Sequence, residues 1–364
     1  MTLDVKPLHP LFAAEASGID LRSTLGDEDR RAIERAMDRF AVLVFRDQPL
    51  DQDQQIAFAK SFGTLDIGLR RANKGPHRFK YDELIDISNV AADGTIAARD
   101  SRRIASMVAN QLWHSDSSFQ QPAARYSMLS AVVLPASGGD TEFADLRAAY
   151  DALSESLKAS LEGLVTEHYA LHSRMMLGTT DWTEEEKTVL PPVRWPLIRT
   201  HPGSGRKLLF IGVHAREIIG WTLPEGRLML SDLLEHATQP RFVYRHRWRV
   251  GDLVMWDNRA TLHRGRRYDF TERRELRRTT TLDLSSLAAQ SGERESPHAV
   301  TPVARKSHGE GEVSHCGEET HLTRIAALAT LSLRERAERA IQATTSMMYS
   351  VENFLLYVSD VLRH

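Results

Sequence analysis

One cysteine, Cys316, stands in 364 residues, so no disulfide can close within the chain. That usage fits a reducing compartment and excludes the small secreted scaffolds held by disulfides. A run of about 18 apolar residues, the length a membrane-spanning helix needs, is also missing. The opening Met1–Lys6 stretch has no apolar core of the kind a secretory leader carries, and the expectation is a cytoplasmic protein without a membrane partner. Net charge is small: 47 Lys and Arg against 49 Asp and Glu leave −2. With no basic excess to neutralise phosphates, no nucleic-acid partner is expected. Nor is there an internal repeat, or the strand–helix alternation of a parallel α/β sheet.

What is present is a chain long enough to bury a sizeable core, with many short strand signals and few helices. Arg31–Met37 has helical periodicity behind acidic residues, and Ala41–Phe45 is a short apolar run of strand formers. Asp51 and Gln54 have the spacing of a capping box, with Gly63 closing the helix. Strands are expected at 83–90, 125–134, 142–144, 193–200, 207–213, 241–250, 253–256 and 273–282, and a helix at Pro224–Ala237. Residues 91–105 look like a polar surface loop, and 177–192 like an exposed insertion with a short helix near Glu184. This pattern is mainly β with flanking helices, and a double-stranded jelly roll fits it. Beyond about residue 288 Ser, Glu, Gly and His dominate. The expected organisation is a 1–287 domain, a disordered linker at 288–320 and a helical extension at 321–364.

Chemistry concentrates at Trp113-His114-Ser115-Asp116. In an extended strand, side chains two apart share a face, so His114 and Asp116 would project together. His263 would complete a two-histidine, one-carboxylate facial site that leaves positions open on Fe(II). A competing pair, His308 and Glu310, lies in the polar tail with no strand pattern to hold it. A 2-oxo acid chelating the metal would need its far carboxylate held. An arginine fork with a hydroxyl beside it suits that task, and Arg274 and Thr141 are the candidates. Arg278 would share Arg274's face of a strand and grip an anionic substrate. Arg273, Arg274, Arg277 and Arg278 fit a solvated basic strand equally well, and Thr141 a turn. The loop bearing Arg70, Arg71, Lys74, Arg78 and Lys80 is either a solvated basic loop or a lid that meets an anion. His168, His172, His201, His214 and His246 are expected at the surface or satisfied in the core, and Trp113 and Trp256 as core anchors.

The runs Leu8–Ala14, Gln111–Tyr126, Gly138–Phe143, Asp252–Arg259, Arg264–Asp269 and Arg273–Arg278 closely resemble the taurine dioxygenase superfamily of Fe(II)/2-oxoglutarate-dependent oxygenases. The resemblance spans residues 1 to about 285, and the tail departs from it. It implies a double-stranded β-helix and O2 chemistry, with Fe(II) on His114, Asp116 and His263. It implies 2-oxoglutarate on Thr141 and Arg274, a substrate acid on Arg278, a pocket position at Asn110, and a substrate-covering segment that includes Lys74 and Arg78. Ascorbate as a stimulant and a homo-oligomer are further family expectations. The implied reaction hydroxylates the carbon beside the ether oxygen of an aryloxyacetate such as 2,4-dichlorophenoxyacetate, releasing a phenol, glyoxylate, succinate and CO2. The same chemistry on a sulfonate, an aryloxypropionate or another small anion stays open, as does a non-catalytic jelly-roll binding protein.

Overall fold

The computed structural model describes residues 3–68, 78–179 and 182–284. The expected linker and helical extension lie outside the described residues, as do His308, Glu310, Arg70, Arg71 and Lys74.

Two sheets face each other. The larger has seven strands, in the order Asp4–Pro7, Ala14–Ser17, Val42–Phe45, Leu253–Asp257, Ala124–Val133, Glu275–Leu282 and Ile85–Ser88. All neighbours are antiparallel except Ala14–Ser17 with Val42–Phe45. The smaller sheet places Thr141–Asp145 between Val243–His246 and Thr261–Gly265. This is the double-stranded jelly roll that the alternation of short strands predicts.

The apolar runs of the central strands follow from burial on both faces. Leu43, Phe45, Met128, Leu253 and Met255 point outward and pack under the helix Asp27–Phe40 through Ile33, Met37 and Phe40. Their alternates Val42, Val44, Leu129, Val254 and Trp256 point inward, toward Phe143 of the smaller sheet. With both faces covered, the period-2 signal disappears and the strand reads as continuous apolar sequence. Each such side chain contributes about 1.5–3 kcal/mol by leaving water. At the outer layer the capping box is complete. The Asp51 carboxylate accepts from the Gln54 amide at 2.8 Å, and the Gln54 side chain accepts from the Asp51 amide at 2.9 Å.

The expected polar loop at 91–105 instead runs into a helix, Arg102–Ala109, capped by the Ser101 hydroxyl on the Ile104 amide. Ile104 and Met107, one turn apart, are its buried face. The expected long strand at 241–250 is a 3₁₀ turn, Pro240–Phe242, followed by only Val243–His246. Two strands with no clear sequence signal, Val165–His168 and Ala215–Ile218, join Val193–Pro196 in a separate sheet. Their alternation is short and places Thr166 and His168 at buried positions, so neither period stands out.

Candidate active site

His114 does not lie in a continuous strand. It forms a single antiparallel bridge with His263, and the chain then turns, with Ser117 at φ 49°. The bridge is reciprocal: the His114 amide donates to the His263 carbonyl at 3.0 Å, and the His263 amide donates back at 2.8 Å. The two imidazoles therefore stand side by side, with ring centroids 4.1 Å apart. Asp116 reaches the same point from the turn, because Asn258 accepts from its amide at 3.1 Å. Two-apart projection thus holds at this pair, but a bridge and a turn produce it.

Ligand atoms of His114, Asp116 and His263 lie within 4.8 Å of one another, the one such group among the described residues. All three residues are buried, at 7, 5 and 6 % exposure. The His114 Nδ1 bonds the Leu112 carbonyl at 2.7 Å, and a carbonyl only accepts, so the proton sits on Nδ1 and Nε2 keeps its lone pair. Burial lowers both imidazoles below their ordinary range, so both are neutral at pH 7. Burial pushes the Asp116 carboxyl up, yet the Arg278 guanidinium, His263, His114 and the Ser127 hydroxyl outweigh it and hold the group ionised. Ser127 donates to Asp116 at 2.7 Å and accepts from Asn258 at 2.9 Å, which orients the carboxylate. Two neutral nitrogens and one ionised oxygen, converging and dry, fit a divalent transition metal.

A cavity opens beside this triad, lined by Asn110, Thr141, Tyr268, Arg274 and Arg278 together with His114 and His263. Thr141 accepts from the Trp248 indole at 3.0 Å, which leaves its own proton free to donate. Arg274 is 4 % exposed, and burial lowers its guanidinium to about 10, so it stays charged at neutral pH. It donates to the Gly139 carbonyl at 2.9 Å. Gly138 and Gly139 both have positive φ, and a Cβ on Gly139 would stand 2.9 Å from Arg274 Nε. The two-glycine turn therefore makes the groove through which Arg274 passes. An anion-accepting hydroxyl and arginine fork at one end of a buried cavity fit a dicarboxylic 2-oxo acid.

Arg278 lines the same cavity and donates to Asp116. Opposite it across the sheet is Leu129, and Ile87 and Met107 continue an apolar wall. Arg78 needs correction as a substrate contact. Its guanidinium is held by Asp86 at 3.1 Å, Glu275 at 2.9 Å and the Ser88 hydroxyl, and it lies outside the cavity lining. An arginine committed to two carboxylates clamps strand to strand and has no fork left for a ligand. Lys80 is likewise spent, on Asp53 at 2.8 Å.

Several site neighbours escape a linear reading. Ser127 sits in a strand of small and apolar residues, and only its alternation with inward Leu129 hints at its position. Trp248 lies in the basic stretch expected as an alternating strand, and that alternation does not show that its indole meets Thr141. Arg174 is a half-buried cation with no carboxylate partner among the described residues, lowered to about 10 by burial and by nearby Arg278. Of the five histidines expected to be satisfied or exposed, none is exposed. His172, His201 and His246 have partners on both counts of burial and bonding. His214 differs: it lies edge-on to His114 at 6.2 Å with its Nδ1 unbonded.

A jelly roll with two histidines and a carboxylate converging at its open end defines a non-haem metal oxygenase. The family model described as "Taurine catabolism dioxygenase TauD, TfdA family" matches residues 4–280. The chain belongs to that family. It is 65 % identical over 283 residues to the alpha-ketoglutarate-dependent 2,4-dichlorophenoxyacetate dioxygenase of Cupriavidus pinatubonensis, covering 78 % of this chain and 99 % of that protein. It is 38 % identical over 282 residues to the (S)-phenoxypropionate/alpha-ketoglutarate-dioxygenase of Sphingobium herbicidovorans, covering 74 % of this chain and 92 % of that one. Among solved structures, that of AAD-2 in complex with Mn(II) and N-oxalylglycine superposes with a TM-score of 0.75 at 48 % identity, covering 78 % of this chain and 98 % of the other.

Proposed function

We propose that the chain is an Fe(II)- and 2-oxoglutarate-dependent oxygenase that hydroxylates aryloxyacetates at the carbon between ether oxygen and carboxylate, with 2,4-dichlorophenoxyacetate as a representative substrate. The observation that carries this reading is the position of Arg278. Its guanidinium touches Asp116, and its strand neighbour across the sheet, Leu129, begins an apolar wall that Ile87 and Met107 continue. A carboxylate on that guanidinium has its α-carbon beside the triad, while an aryl ring takes the apolar wall. A relative that is 65 % identical and carries the 2,4-dichlorophenoxyacetate name supports the same choice.

In this reading His114, Asp116 and His263 hold Fe(II), and Thr141 and Arg274 hold the far carboxylate of 2-oxoglutarate. When bound, iron and the 2-oxo acid together with O2 supply the oxidant, and the 2-oxo acid leaves as succinate and CO2. The residues of the chain orient and exclude. Trp248 keeps the Thr141 proton aimed into the cavity, the Leu112 carbonyl fixes the His114 tautomer, and Ser127 holds the Asp116 carboxylate in line. The hydroxylated carbon is a hemiacetal, which collapses to a phenol and glyoxylate. Asn110, which lines the cavity, is retained as a substrate contact. Lys74, outside the described residues, is retained as a further cation toward the substrate, and Arg78 is not. The proposal includes a cytoplasmic setting, in keeping with one cysteine in 364 residues, and self-association, with no nucleic-acid or membrane partner.

The test is anaerobic purification, addition of Fe(II) and 2-oxoglutarate, then oxygen with a panel of small acids. Stoichiometric phenol and succinate from 2,4-dichlorophenoxyacetate is the expected result. Succinate stimulated only by a sulfonate or an aryloxypropionate would move the substrate. No turnover with metal bound would leave a binding protein.

A further inference from the structure

Tyr268 belongs to the Arg264–Asp269 run, to which no role has yet been attached. Its backbone forms an antiparallel bridge with Gly138, and the neighbouring Gly139 amide donates to the Arg267 carbonyl at 3.1 Å. The ring is therefore anchored on the same two-glycine turn that admits Arg274. The Arg274 guanidinium carbon lies 5.3 Å from the ring centroid, and the Phe270 ring packs edge-on to it with centroids 4.8 Å apart. Tyr268 lines the cavity beside Arg274 and Thr141, and its hydroxyl is buried with no hydrogen-bond partner. Buried hydroxyls without partners are uncommon, because the lost hydration has nothing to offset it. Burial also pushes the phenol up to about 12, so at neutral pH it carries its proton. The residues lining the cavity include no Asp or Glu. Three donors thus line one cavity whose wall offers no anion of its own: Thr141 at the start of its strand, Arg274 just before Glu275–Leu282, and Tyr268 at its bridge to Gly138.

We propose that Tyr268 is a third donor to the distal carboxylate of the 2-oxo acid, beside Arg274 and Thr141, and that it sets the affinity for a dicarboxylic over a monocarboxylic co-substrate. The assignment rests on the 2-oxoglutarate reading above and adds a residue to it. Arg274 supplies charge and Thr141 a short, fixed hydroxyl. Tyr268 supplies a neutral donor on a rigid ring, with little rotamer freedom to lose on binding.

The experiment is calorimetric titration of the full chain, loaded with Mn(II) under anaerobic conditions, with 2-oxoglutarate and separately with 2-oxobutanoate, which lacks the distal carboxylate. For Tyr268→Phe, Kd for 2-oxoglutarate is expected to rise about 10-fold or more, as for a lost hydrogen bond to a charged group. Kd for 2-oxobutanoate should stay within about 2-fold of the parent, because deletion of one hydroxyl touches only the end that this acid lacks. A parent that binds 2-oxoglutarate and a variant that binds it equally well would overturn the Tyr268 assignment alone. Equal weakening of both acids would also overturn it, since a general loosening of the cavity moves both. If the parent itself fails to bind 2-oxoglutarate, the functional reading falls and this assignment with it. Thermal melting of the metal-free parent and variant checks that the substitution leaves the fold intact.

Discussion

Of the His–Asp clusters among the described residues of the jelly roll, two are built from the same residue types and separated by one position of a strand. Trp256 points inward and packs its ring 4.7 Å from His263, and Asp257, next in sequence, points to the opposite face. There it accepts from His201 at 3.0 Å and from Arg259 at 2.9 and 2.7 Å, with the Arg259 amide as a further donor. Burial opposes its charge, but Arg259 and His201 outweigh it and hold the carboxyl far below the usual range. Asp257 and His201 have no solvent exposure and do not line the cavity. At the other cluster, His114, Asp116 and His263 converge with lone pairs still free beside the cavity. The difference lies in unspent valence. A histidine and an aspartate whose bonding capacity is filled fasten the fold, and the same pair with capacity left over can bind.

The sharpest way to break this comparison is to exchange the consequences. Asp257→Ala leaves Arg259 and His201 buried without their anion, which should cost about 3–5 kcal/mol in urea unfolding. Its turnover per folded molecule should stay near the parent's. His263→Ala should remove turnover and metal binding, while the metal-free protein loses about 1 kcal/mol or less, the ordinary cost of a substitution. Finding the large stability loss at His263 and the activity loss at Asp257 would reverse the roles. Next in size is Ser127→Ala. It deletes the hydroxyl that orients Asp116, and metal affinity read by competition with a chelator should fall about 10–100-fold.

His168 sharpens the comparison from a third side. It is fully buried, with the Thr166 hydroxyl at 3.1 Å as its ring's partner. Burial, with Arg199 nearby, lowers its pKa to about 3. Its folded value is below the unfolded one of about 6.5, so on acidification the unfolded chain takes up a proton that the folded chain refuses. Stability from this group is therefore complete above about pH 6.5 and is lost as pH falls toward 3. Between pH 7 and pH 5 the parent should lose about 2 kcal/mol through it, and His168→Gln should flatten that slope. An unchanged slope would mean the imidazole is as easily protonated folded as unfolded.

Legibility from sequence followed the physics of each element. Doubly covered strands such as Leu253–Asp257 were plain as apolar runs, and the Asp51–Gln54 capping box was plain because its bonds are local. The helix Arg102–Ala109 was hidden by its charged start, although Ser101, Ile104 and Met107 carried its cap and its apolar face. Spacing suggested which residues would meet at the triad, but the geometry that brings them together is a bridge between residues far apart in sequence, followed by a turn. Arg78 had the charge expected of a substrate contact, and only tertiary structure reveals Asp86 and Glu275 already bonded to it. Tyr268 carried no signal beyond its place in a motif, since an unpartnered hydroxyl is a property of surroundings.

The reciprocal bridge between His114 and His263 has a genetic consequence. The spacing of the two imidazoles is written in backbone register, so substitutions in the surrounding core wall change packing and leave that spacing in place. Insertions and deletions act differently. Losing one residue between Asp257 and His263 would slide a neighbour into the bridge and turn the imidazole to the other face. The centre is therefore tolerant of changes in spelling and intolerant of changes in length. Drift in this part of the gene would be recorded as exchanged residues at constant spacing.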